Sequence, residues 1–503
     1  MEMEKILIRG VNWIGDAVMT LPAIAAIRKF YPHAQISLLV KPSVAPLFEN
    51  SPDINEVILY DERHGGIIGK LRLANMLRKK RFTRAILLQN AFDAALIAFL
   101  ARIPERIGFD RDGRKFLLTK PVAYKKQDRE VHHIKYYLDL LKAAGIMAEY
   151  SRPWLRITLA ERLASRKRLS ELKRPVLGIN PGAAFGSSKR WLPERFAEVA
   201  GWFIKETKGS VVIFGGKNEV PIAEEIYKHV PMNKLLLAGK TSLRELISLI
   251  TECDVLITND SGPMHIGYAT GTPLVAIFGS TSAELTGPVG DGCAVVKAEL
   301  ECSPCFERTC DKDYIRCMFA VTSEDVYADV NKLLPSKRAV FFDRDGTLCR
   351  DANYLHKWED FELLPGVERL KTLKEEGFEL IGVSNQSGIA KGLIEEDFVK
   401  ELNRLFIDAY GFTDFFYCPH DPSANCPCRK PEPEMLYKAR AAYGIDLKRS
   451  FVVGDKDADM LLAKAAGARG ILVRTGQQNE SAHSDAIVDD LDSAIKYILK
   501  WKE

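Results

Sequence analysis

Short hydrophobic runs recur along the chain, each followed by a turn containing glycine or aspartate and then by an amphipathic stretch. Most runs are continuously apolar rather than alternating, as is typical of strands buried on both faces of a parallel sheet. Their alternation with helical stretches predicts βαβ units and a doubly wound α/β fold. The predicted strands span residues 5–9, 36–40, 85–88, 176–180, 211–214, 255–258, 274–278, 339–342, 380–384, 451–453 and 470–473. Because ligands bind at the carboxyl ends of such strands, functional residues are expected directly after them.

Two stretches interrupt this pattern and predict domain boundaries. One is the charged segment at about 160–174, which ends at Pro175, and the other is the polar segment 334–338, directly before a new strand. The length of 503 residues is enough for about three domains of ordinary size. We therefore predict three Rossmann-like domains, at residues 1–168, 169–335 and 336–503.

The composition is that of an ordinary soluble globular protein, with 47% hydrophobic and 27% charged residues. Lys+Arg 71 against Asp+Glu 67 gives a net charge of +4, which does not favour nucleic acid as a partner. The first residues enter a predicted strand without a signal-peptide pattern, and no apolar run approaches the roughly 18 residues that cross a bilayer. We expect a cytoplasmic protein, with peripheral contact at a membrane left open.

The sharpest motif is D-R-D-G-T, which places Asp343 and Asp345 directly after a predicted strand. Two carboxylates at positions i and i+2 leave the strand end together and can hold Mg²⁺ beside a substrate phosphate. One carboxylate can then attack phosphorus while the other handles the proton. A solvated acidic turn is the alternative, but three further polar segments follow later in the chain: 384–388, 428–431 and 454–457.

Together these segments resemble the haloacid dehalogenase superfamily of phosphohydrolases over residues 338–503. The resemblance implies that Asp343 is the nucleophile, which carries the phosphoryl group, and that Asp345 is the general acid and base. It implies Mg²⁺ as cofactor, held by Asp343, the backbone carbonyl of Asp345, and Asp455. The residues implied to bind substrate are Ser384, Asn385, Arg429, Lys430 and Lys456.

A second set of candidate metal ligands lies on one loop with the spacing C-x-H-x₅-C-x-C. Its members are Cys418, His420, Cys426 and Cys428. Three thiolates and an imidazole form a closed tetrahedral set for structural Zn²⁺. Four unligated residues are the alternative, but the close spacing and the proline-rich loop favour a metal. Zinc would rigidify the loop that delivers Arg429 and Lys430 to the phosphatase site.

This loop type, with the segments DRDGT, SNQSG, CRKP and GDK, resembles the heptose-bisphosphate phosphatases of the superfamily. The histidinol phosphatases share these motifs, so the branch is left open between them. The stretch between the first two motifs is too short for a large cap domain. Substrate specificity must therefore come from loops such as 353–358 and 429–430.

The first strand leads into a glycine-containing turn and then a helix that carries Asp16. Such a turn can approach a sugar or phosphate closely, although an ordinary βα turn explains it as well. Three loops after strands of the second predicted domain favour the functional interpretation. They contribute Ser187, Ser188 and Lys189; Glu219; and Asp260, Ser261, Gly262 and His265. The hydroxyls and cations of these loops could bind a pyrophosphate, and so could the helix N-terminus near Gly262. His265 could equally be a packed helix residue.

Two Rossmann-like halves with nucleotide loops in the second resemble a GT-B glycosyltransferase. The segments PGAAFGSSKRW and TNDSGPMH are similar to the bacterial heptosyltransferases of glycosyltransferase family 9, and more to their branch II than to branch I, over about 1–335. The resemblance implies an inverting transfer that needs no metal, from ADP-heptose to a lipopolysaccharide core on lipid A. It implies that Asp16 deprotonates the acceptor, that Ser187, Ser188 and Lys189 hold the ADP phosphates, that Glu219 contacts the ribose, and that Asp260, Ser261, Gly262 and His265 line the donor site.

Two further features have open interpretations. The stretch from Lys70 to Arg84 has seven basic residues and no acidic ones. It can be a solvated face, but a membrane-embedded, phosphate-rich acceptor would give it a use, because basic residues are attracted to anionic lipid. Four cysteines at 302, 305, 310 and 317 could bind zinc or an iron–sulfur cluster, or could be reduced, packed thiols.

The sequence therefore predicts a bifunctional enzyme of lipopolysaccharide heptose metabolism. Its first two domains would transfer heptose, and its last would remove the 7-phosphate of heptose 1,7-bisphosphate. One alternative is a transferase of another family 9 branch or sugar, fused to a histidinol phosphatase. Another is a non-catalytic sugar-nucleotide or lipopolysaccharide-binding module fused to a phosphatase; the intact set of Asp16, Lys189 and Asp260 argues against it.

Overall fold

Three parallel, six-stranded sheets organise the computed structural model, which describes residues 3–125, 130–312 and 314–501. The chain divides into two compact units, Met1–Lys332 and Leu333–Glu503. The first unit holds two of the sheets and the second unit holds the third. This confirms the predicted α/β class, while the predicted domain limits after residues 168 and 335 stay predictions.

The first sheet is formed before residue 123. Its strands are β1 (Lys5–Arg9), β2 (Gln35–Val40), β3 (Glu56–Leu59), β4 (Arg84–Leu87), β5 (Glu105–Phe109) and β6 (Lys120–Val122). The helices of this part are α1 (Ile14–Met19), α2 (Leu21–Phe30), α3 (Gly66–Lys80), α4 (Phe92–Leu100), α5 (His133–Ala143) and α6 (Leu159–Arg168). The strand order is β3-β2-β1-β4-β5-β6, so the order reverses between β1 and β4.

The second sheet repeats this architecture. Its strands are β7 (Val176–Asn180), β8 (Ser210–Ile213), β9 (Lys234–Leu236), β10 (Val255–Asn259), β11 (Leu274–Phe278) and β12 (Cys293–Lys297). Its helices are α7 (Pro193–Thr207), α8 (Val220–His229), α9 (Leu243–Thr251), α10 (Gly262–Thr270), α11 (Ala283–Thr286), α12 (Arg316–Ala320) and α13 (Ser323–Leu333). The order is β12-β11-β10-β7-β8-β9, with the reversal between β7 and β10.

The third sheet lies in the second unit. Its strands are β13 (Arg338–Phe342), β14 (Phe378–Asn385), β15 (Asp414–Cys418), β16 (Phe451–Gly454), β17 (Arg469–Val473) and β18 (Ala486–Val488). Its helices are α14 (Lys371–Glu375), α15 (Ser387–Ala390), α16 (Glu396–Tyr410), α17 (Glu434–Tyr443), α18 (Asp457–Ala466) and α19 (Leu491–Lys500). The order is β15-β14-β13-β16-β17-β18, with the reversal between β13 and β16.

The central strands are buried on both faces, which explains their continuous apolar sequence. All five residues of β7, β10 and β11 are buried, for example. One hydrophobic core runs through both halves of the first unit, from Ile6 to Phe278, and the second unit has its own core. Ligands bind where strand order reverses in such sheets, which directs attention to the loops after β1, β7, β10, β13 and β16. In the described part of the chain, none of the helices has the length and apolar composition needed to cross a bilayer.

Candidate active sites

Asp16 lies in the first turn of α1 and borders a pocket of about 390 Å³. The pocket is also lined by Asn12, Trp13, Asn90, Arg111 and Tyr136. The Asp16 side chain is one-third exposed, and its Oδ1 lies 3.7 Å from Nδ1 of His133. Sequence reasoning did not include His133, which reaches Asp16 from the start of α5. A carboxylate at a pocket edge with an imidazole beside it can accept a proton from a bound hydroxyl.

The starts of α1 and α10 pack against each other, which joins the two halves of the first unit at this pocket. The contact depends on glycine at both helices. A Cβ at Gly15 would lie 2.6 Å from Cδ2 of His265, and a Cβ at Gly262 would lie 2.8 Å from Cγ2 of Ile14. Burial lowers the pKa of His265 to about 4, against the opposing effect of Asp260 and Asp16, so the imidazole is neutral near pH 7. His265 is therefore a packed neutral residue at the junction of the two halves.

Replacing Gly15 by alanine is expected to disrupt this junction, because the buried His265 ring has little freedom to move away. Overpacking of this kind costs about 1–3 kcal/mol of stability. We expect a lower unfolding temperature and weaker activity of the first unit, measured by calorimetry and by an activity assay. Gly201→Ala is the matched control, because a Cβ at Gly201 meets nothing within 4 Å. Equal behaviour of the two variants would contradict the role given to this contact.

Lys189 and Asp260 form an ion pair at the carboxyl end of the second sheet. Nζ of Lys189 lies 2.5 Å from Oδ2 of Asp260, and the Thr281 hydroxyl donates to the same oxygen at 2.6 Å. The Lys189 ammonium also lies 4.6 Å from the centre of the Phe185 ring. The pair brings together two of the loops that the sequence predicted to hold a nucleotide. A lysine ammonium fixed in this position can bind a phosphate.

Ser188 has a different environment from the exposed Ser187 beside it. The buried Ser188 hydroxyl donates to the carbonyl of Glu307 at 2.5 Å and lies 3.1 Å from the Ser280 hydroxyl, and its N–H donates to the carbonyl of Arg308 at 3.2 Å. The segment around residue 308 thus holds the 180–191 loop in place. The predicted contact of Ser188 with a phosphate stays a prediction.

Glu219 and Ser261 face the same 180–191 loop from two other strand ends. Oε1 of Glu219 lies 1.9 Å from where a Cβ of Gly182 would be, so glycine there lets the Glu219 carboxylate lie against the loop, and Oε2 accepts from the N–H of Gly216 at 2.7 Å. Ser261 occupies the N-cap position of α10, and its hydroxyl lies 3.2 Å from that of Thr258 rather than on the helix N–H groups. The structure therefore gathers the loops after β7, β8 and β10 around the N-terminus of α10, where an anion is stabilised.

Asp343 follows β13 and is buried with Lys430 and Asp459. Nζ of Lys430 lies 2.8 Å from Oδ1 of Asp343 and 2.6 Å from Oδ1 of Asp459. Burial alone would lower the pKa of Lys430, but the two carboxylates outweigh burial and raise it. Asp459 was missed at the sequence level, although it lies only four residues after Asp455, in the first turn of α18. Lys430 is thus a fixed cation beside the carboxylate that was predicted to attack phosphorus.

Asp345 is held by its neighbours as an ionised carboxylate. Arg344 donates to it through Nε at 3.0 Å and Nη2 at 3.1 Å, and Gln386 donates through Nε2 at 2.7 Å. Burial would raise the pKa of Asp345, but these partners outweigh burial and lower it. The fully buried Arg344 also contacts Asn403, which anchors the guanidinium from α16. Sequence reasoning did not identify Arg344 or Gln386 as site residues.

Asp343, Asp455 and Asp459 could hold a cation together, because each offers a carboxylate oxygen within 4.8 Å of the others. Burial and the Asp343 charge raise the pKa of Asp455 to about 7, and burial raises that of Asp459 to about 6 against the effect of Lys430. Oδ1 of Asp455 is buried and accepts no hydrogen bond within the described structure. A Cβ at Gly346, where φ is +90°, would lie 2.5 Å from Oδ2 of Asp455. Three clustered carboxylates, one of which has an unpaired buried oxygen, fit Mg²⁺.

The polar loop after β14 positions Lys430 through its backbone. Oδ1 of Asn385 accepts from the N–H of Lys430 at 3.0 Å, and Nδ2 of Asn385 lies 3.3 Å from the Lys430 carbonyl. The buried Ser384 hydroxyl accepts from Gln386 at 2.7 Å. Nη1 of Arg429 is buried without a hydrogen-bond partner among the described residues. A guanidinium with one unsatisfied nitrogen suits an anionic substrate group.

Lys456 lies at the rim of the same site, one residue after Asp455. Its Nζ is 3.2 Å from Oδ2 of Asp351, and the Gln477 side chain donates to the same oxygen at 2.7 Å. The backbone N–H of Gln477 donates to Oδ2 of Asp455 at 2.9 Å. A loop at residue 477 therefore closes over the carboxylates, and Asp351 and Gln477 join the residues that sequence reasoning missed.

The four predicted zinc ligands are gathered as expected for a metal. Sγ of Cys426 lies 3.3 Å from Sγ of Cys418 and 3.4 Å from Sγ of Cys428, and Nδ1 of His420 lies 3.2 Å from Sγ of Cys428 and 3.6 Å from Sγ of Cys418. The cysteines are free rather than disulfide-bonded. These separations are close to the edges of a tetrahedron with bonds of about 2.0–2.3 Å, so the donor set fits Zn²⁺.

The second cysteine cluster differs from the first. Cys302 and Cys305 are exposed, while Cys317 is buried against Gly279. Over the described ranges, which omit residue 313 of this segment, the candidate ligands that lie within 4.8 Å of one another are the Cys/His set at 418–428 and the three aspartates. The metal assignment of the cluster at 302–317 stays open.

The fold and these sites define the class. The first unit has two Rossmann-like halves, with a carboxylate from one half facing loops suited to a nucleotide from the other, as in a sugar-nucleotide-dependent transferase. The second unit has the clustered carboxylates and the lysine of an aspartate-based phosphohydrolase. The profile of "Glycosyltransferase family 9 (heptosyltransferase)" matches residues 70–315, and a HAD-hydrolase-like profile, of the haloacid dehalogenase type, matches residues 427–494.

The first unit is similar to heptosyltransferases along their whole length. Lipopolysaccharide heptosyltransferase 2 of Escherichia coli K12 is 31% identical over 349 residues, which are 67% of this chain and 100% of that protein. The solved structure of E. coli ADP-heptose LPS heptosyltransferase II shares 30% identity and a TM-score of 0.58, covering 66% of this chain and 98% of that one. A family 9 glycosyltransferase structure from Veillonella parvula gives 25% identity and a TM-score of 0.60. The GT-B prediction is thereby confirmed.

The last third is similar to a second group of proteins. The D-glycero-beta-D-manno-heptose-1,7-bisphosphate 7-phosphatase of Photorhabdus laumondii is 40% identical over 183 residues, 32% of this chain and 97% of that protein. The corresponding alpha-anomer 7-phosphatase of the same organism is 38% identical over 167 residues. The chain therefore belongs to glycosyltransferase family 9 and, in its C-terminal part, to the heptose-bisphosphate phosphatases of the HAD type.

Proposed function

We propose that this chain is a bifunctional enzyme of lipopolysaccharide heptose metabolism. Its first unit transfers heptose from ADP-heptose to a lipopolysaccharide core acceptor, and its second unit hydrolyses the 7-phosphate of heptose 1,7-bisphosphate. The relatives named above carry these activities in their names and cover the two units separately. The observation that carries the proposal is the pairing of two complete polar sites, one around Asp16 and one around Asp343.

In the transferase site, Asp16 would accept the proton of the attacking acceptor hydroxyl. The carboxylate borders the pocket that would hold the acceptor, and His133, 3.7 Å away, helps to orient it. The donor loops come from the other half of the unit, so the sugar would lie between base and diphosphate. Direct attack from the side opposite the leaving ADP gives an inverting transfer, and the chain's own cations can balance the leaving charge without a metal.

The ADP diphosphate would lie at the N-terminus of α10, where the N–H groups of Ser261 and Gly262 and the helix dipole favour negative charge. Lys189 can turn from Asp260 toward the phosphates, and Ser187 is exposed on the same loop. Glu219, which already accepts from Gly216, is placed to accept from ribose hydroxyls. His265 would line the site as a neutral group.

In the phosphatase site, Oδ1 or Oδ2 of Asp343 would attack phosphorus and form an acyl phosphate, while the bond from phosphorus to the sugar oxygen breaks. Asp345 would give a proton to that leaving oxygen and then take one from the water that hydrolyses the acyl phosphate. This role requires Asp345 to gain a proton despite Arg344, so substrate binding must loosen that contact. Ser384, Asn385 and Lys430 would bind or position the phosphoryl group.

Asp343, the backbone carbonyl of Asp345, Asp455 and Asp459 would hold Mg²⁺, which when bound offsets the negative charge of substrate and carboxylates. The unpaired buried Oδ1 of Asp455 supports this assignment. Arg429 and Lys456, on opposite loops at the rim, would contact the remainder of the substrate. The free Nη1 of Arg429 makes it the better candidate for the second phosphate.

Zn²⁺ at Cys418, His420, Cys426 and Cys428 would be structural, because all four positions are filled by protein. Cys426→Ser is expected to remove about one equivalent of zinc and to weaken phosphate release by about 10–100-fold, since the loop also positions Lys430. Elemental analysis and a phosphate assay would check this. Ser423→Ala changes the same loop without touching a ligand and should keep both zinc and activity. Retention of zinc by the Cys426 variant would contradict the assignment.

The acceptor named for the relatives is a lipopolysaccharide, so we place the transferase at the cytoplasmic face of the inner membrane, as a peripheral protein. The decisive experiment uses the purified full-length chain. ADP release is measured with ADP-heptose and heptose-bearing core acceptor, and phosphate release is measured with heptose 1,7-bisphosphate and with histidinol phosphate. Turnover of histidinol phosphate alone, or failure to use ADP-heptose, would overturn the corresponding half of the proposal.

A further inference from the structure

One face of α3 exposes large apolar side chains, which are usually buried in a folded domain. Ile67 is 79% exposed, Ile68 is 76% exposed and Leu71 is 49% exposed. The opposite face, with Gly69, Leu73, Ala74 and Leu77, is buried against the domain. The helix therefore has two apolar faces, of which only one is covered by the chain. Contiguous exposed apolar surface of this kind usually marks an interaction site.

The same exposed face continues into unpaired positive charge. Arg72, Arg78 and Lys79 are exposed, and within the described ranges none of them has a carboxylate in ion-pair distance. The other basic residues nearby behave differently: Lys70 lies 3.8 Å from Asp93, and Lys80 lies 2.5 Å from Glu56. Of these five cations two are paired and three are not, so the net charge presented outward is positive.

The apolar end of α3 lies next to further exposed aromatic residues. The ion pair of Lys70 with Asp93 joins α3 to the first turn of α4, which begins at Phe92. Phe92 is 41% exposed and Phe116 is 73% exposed, with their ring centres 6.2 Å apart. Phe92 lies two residues after Asn90, which lines the pocket of Asp16. The exposed apolar surface is therefore close to the proposed acceptor pocket.

We propose that the exposed face of α3 and the neighbouring aromatic pair form a docking face for an anionic lipid bilayer. The docking face consists of Ile67, Ile68, Leu71, Arg72, Arg78, Lys79, Phe92 and Phe116. Apolar side chains of such a face enter the boundary between headgroups and acyl chains, while its cations contact lipid phosphates. A bilayer supplies both an apolar layer and anionic headgroups to a convex helix surface. An acidic protein partner would have to supply an apolar groove in addition to its negative charge. The proposal deepens the proposed function, on which it rests for the lipid-linked acceptor.

The test is flotation of the full-length chain with vesicles, which needs no substrate. Vesicles of phosphatidylethanolamine and phosphatidylglycerol are compared with vesicles of phosphatidylcholine. The chain should float with the anionic vesicles at low salt, float little with the neutral ones, and be released as the salt concentration rises, because screening weakens the attraction of exposed charges. Equal binding to both vesicles, or binding to neither, would overturn the proposal.

Two variants separate the apolar and the cationic contributions. The apolar variant combines Ile67→Ser, Ile68→Ser and Leu71→Ser. The cationic variant combines Arg72→Glu, Arg78→Glu and Lys79→Glu. Each variant should lower partitioning onto anionic vesicles by about tenfold or more. The control is Lys205→Glu with Lys228→Glu and Met232→Ser, which changes exposed residues of the same types elsewhere in the first unit. Loss of binding in the control as strong as in the variants would contradict a localised docking face.

A further variant guards against misfolding as the cause of lost binding. Ile68→Trp keeps the face apolar and should bind anionic vesicles, with tryptophan fluorescence that is quenched by brominated lipid more than in the unmodified chain. Unchanged quenching would overturn the insertion of this face. Transfer to a lipid-free core acceptor should remain at the unmodified rate in all docking-face variants. Failure of that reaction in the unmodified chain would instead count against the proposed function.

Discussion

Asp343→Asn is expected to lower phosphate release from heptose 1,7-bisphosphate by about a thousandfold or more, with heptosyl transfer unchanged. The amide has no anionic oxygen to attack phosphorus, so the first chemical step is lost. Folding should survive, because asparagine has nearly the same shape and Lys430 keeps its partner Asp459 at 2.6 Å. Single-turnover phosphate release measures the loss of activity, and calorimetry on the same preparation checks that folding is retained.

Asp457→Asn is the matched control for this variant. Asp457 lies two residues after Asp455, but its carboxylate contacts Ser481 and His483 rather than the buried cluster. The control should release phosphate at close to the unmodified rate. Activity of Asp343→Asn within tenfold of the unmodified chain would contradict the assignment of Asp343 as nucleophile.

Asp16→Asn is expected to slow heptosyl transfer by about 10²–10⁴-fold, the usual contribution of a positioned general base. The loss should appear in kcat, with the KM for ADP-heptose nearly unchanged, because the donor loops come from the other half of the unit. Phosphate release by the second unit should be unaffected. The measurement is ADP release at varied donor concentration with saturating acceptor.

Asp139→Asn serves as the control, because Asp139 is an acidic residue of α5 that pairs with Lys135 on the surface. Its transfer rate should match that of the unmodified chain. If Asp16→Asn transferred heptose at a comparable rate, the base would have to be sought elsewhere. His133, 3.7 Å from Asp16, would then be the first candidate.

The sequence pattern predicted every inner strand of the second and third sheets and missed their outer ones. In the first sheet it missed both edge strands and also the inner strand β5. In the second sheet, for instance, β7, β8, β10 and β11 were predicted, whereas β9 and β12 at the two edges were not. None of the three residues of β9 is fully buried, and β12 has one buried residue of five. Edge strands are covered on fewer sides, so their sequence lacks the continuous apolar run that identifies a central strand.

The candidate site could be predicted where residues follow strands in one motif, and not where they come from elsewhere in the chain. Asp343 and Lys430 were found from their motifs, and the structure places them 2.8 Å apart. His133 reaches Asp16 from a helix 117 positions later, and nothing in its local sequence indicates that contact. Asp459 could have been found, because it is the third carboxylate of the segment GDKDAD, which already contained Asp455.

Each sheet takes all six of its strands from one uninterrupted length of chain: residues 5–122, 176–297 and 338–488. No strand has to wait for a pairing partner that belongs to another sheet. During synthesis, each sheet can therefore complete its ladder soon after its own last strand emerges, and the order of folding can follow the order of translation. Joining a phosphatase to a transferase in this manner lengthens the chain without lengthening the loops that any one sheet must close.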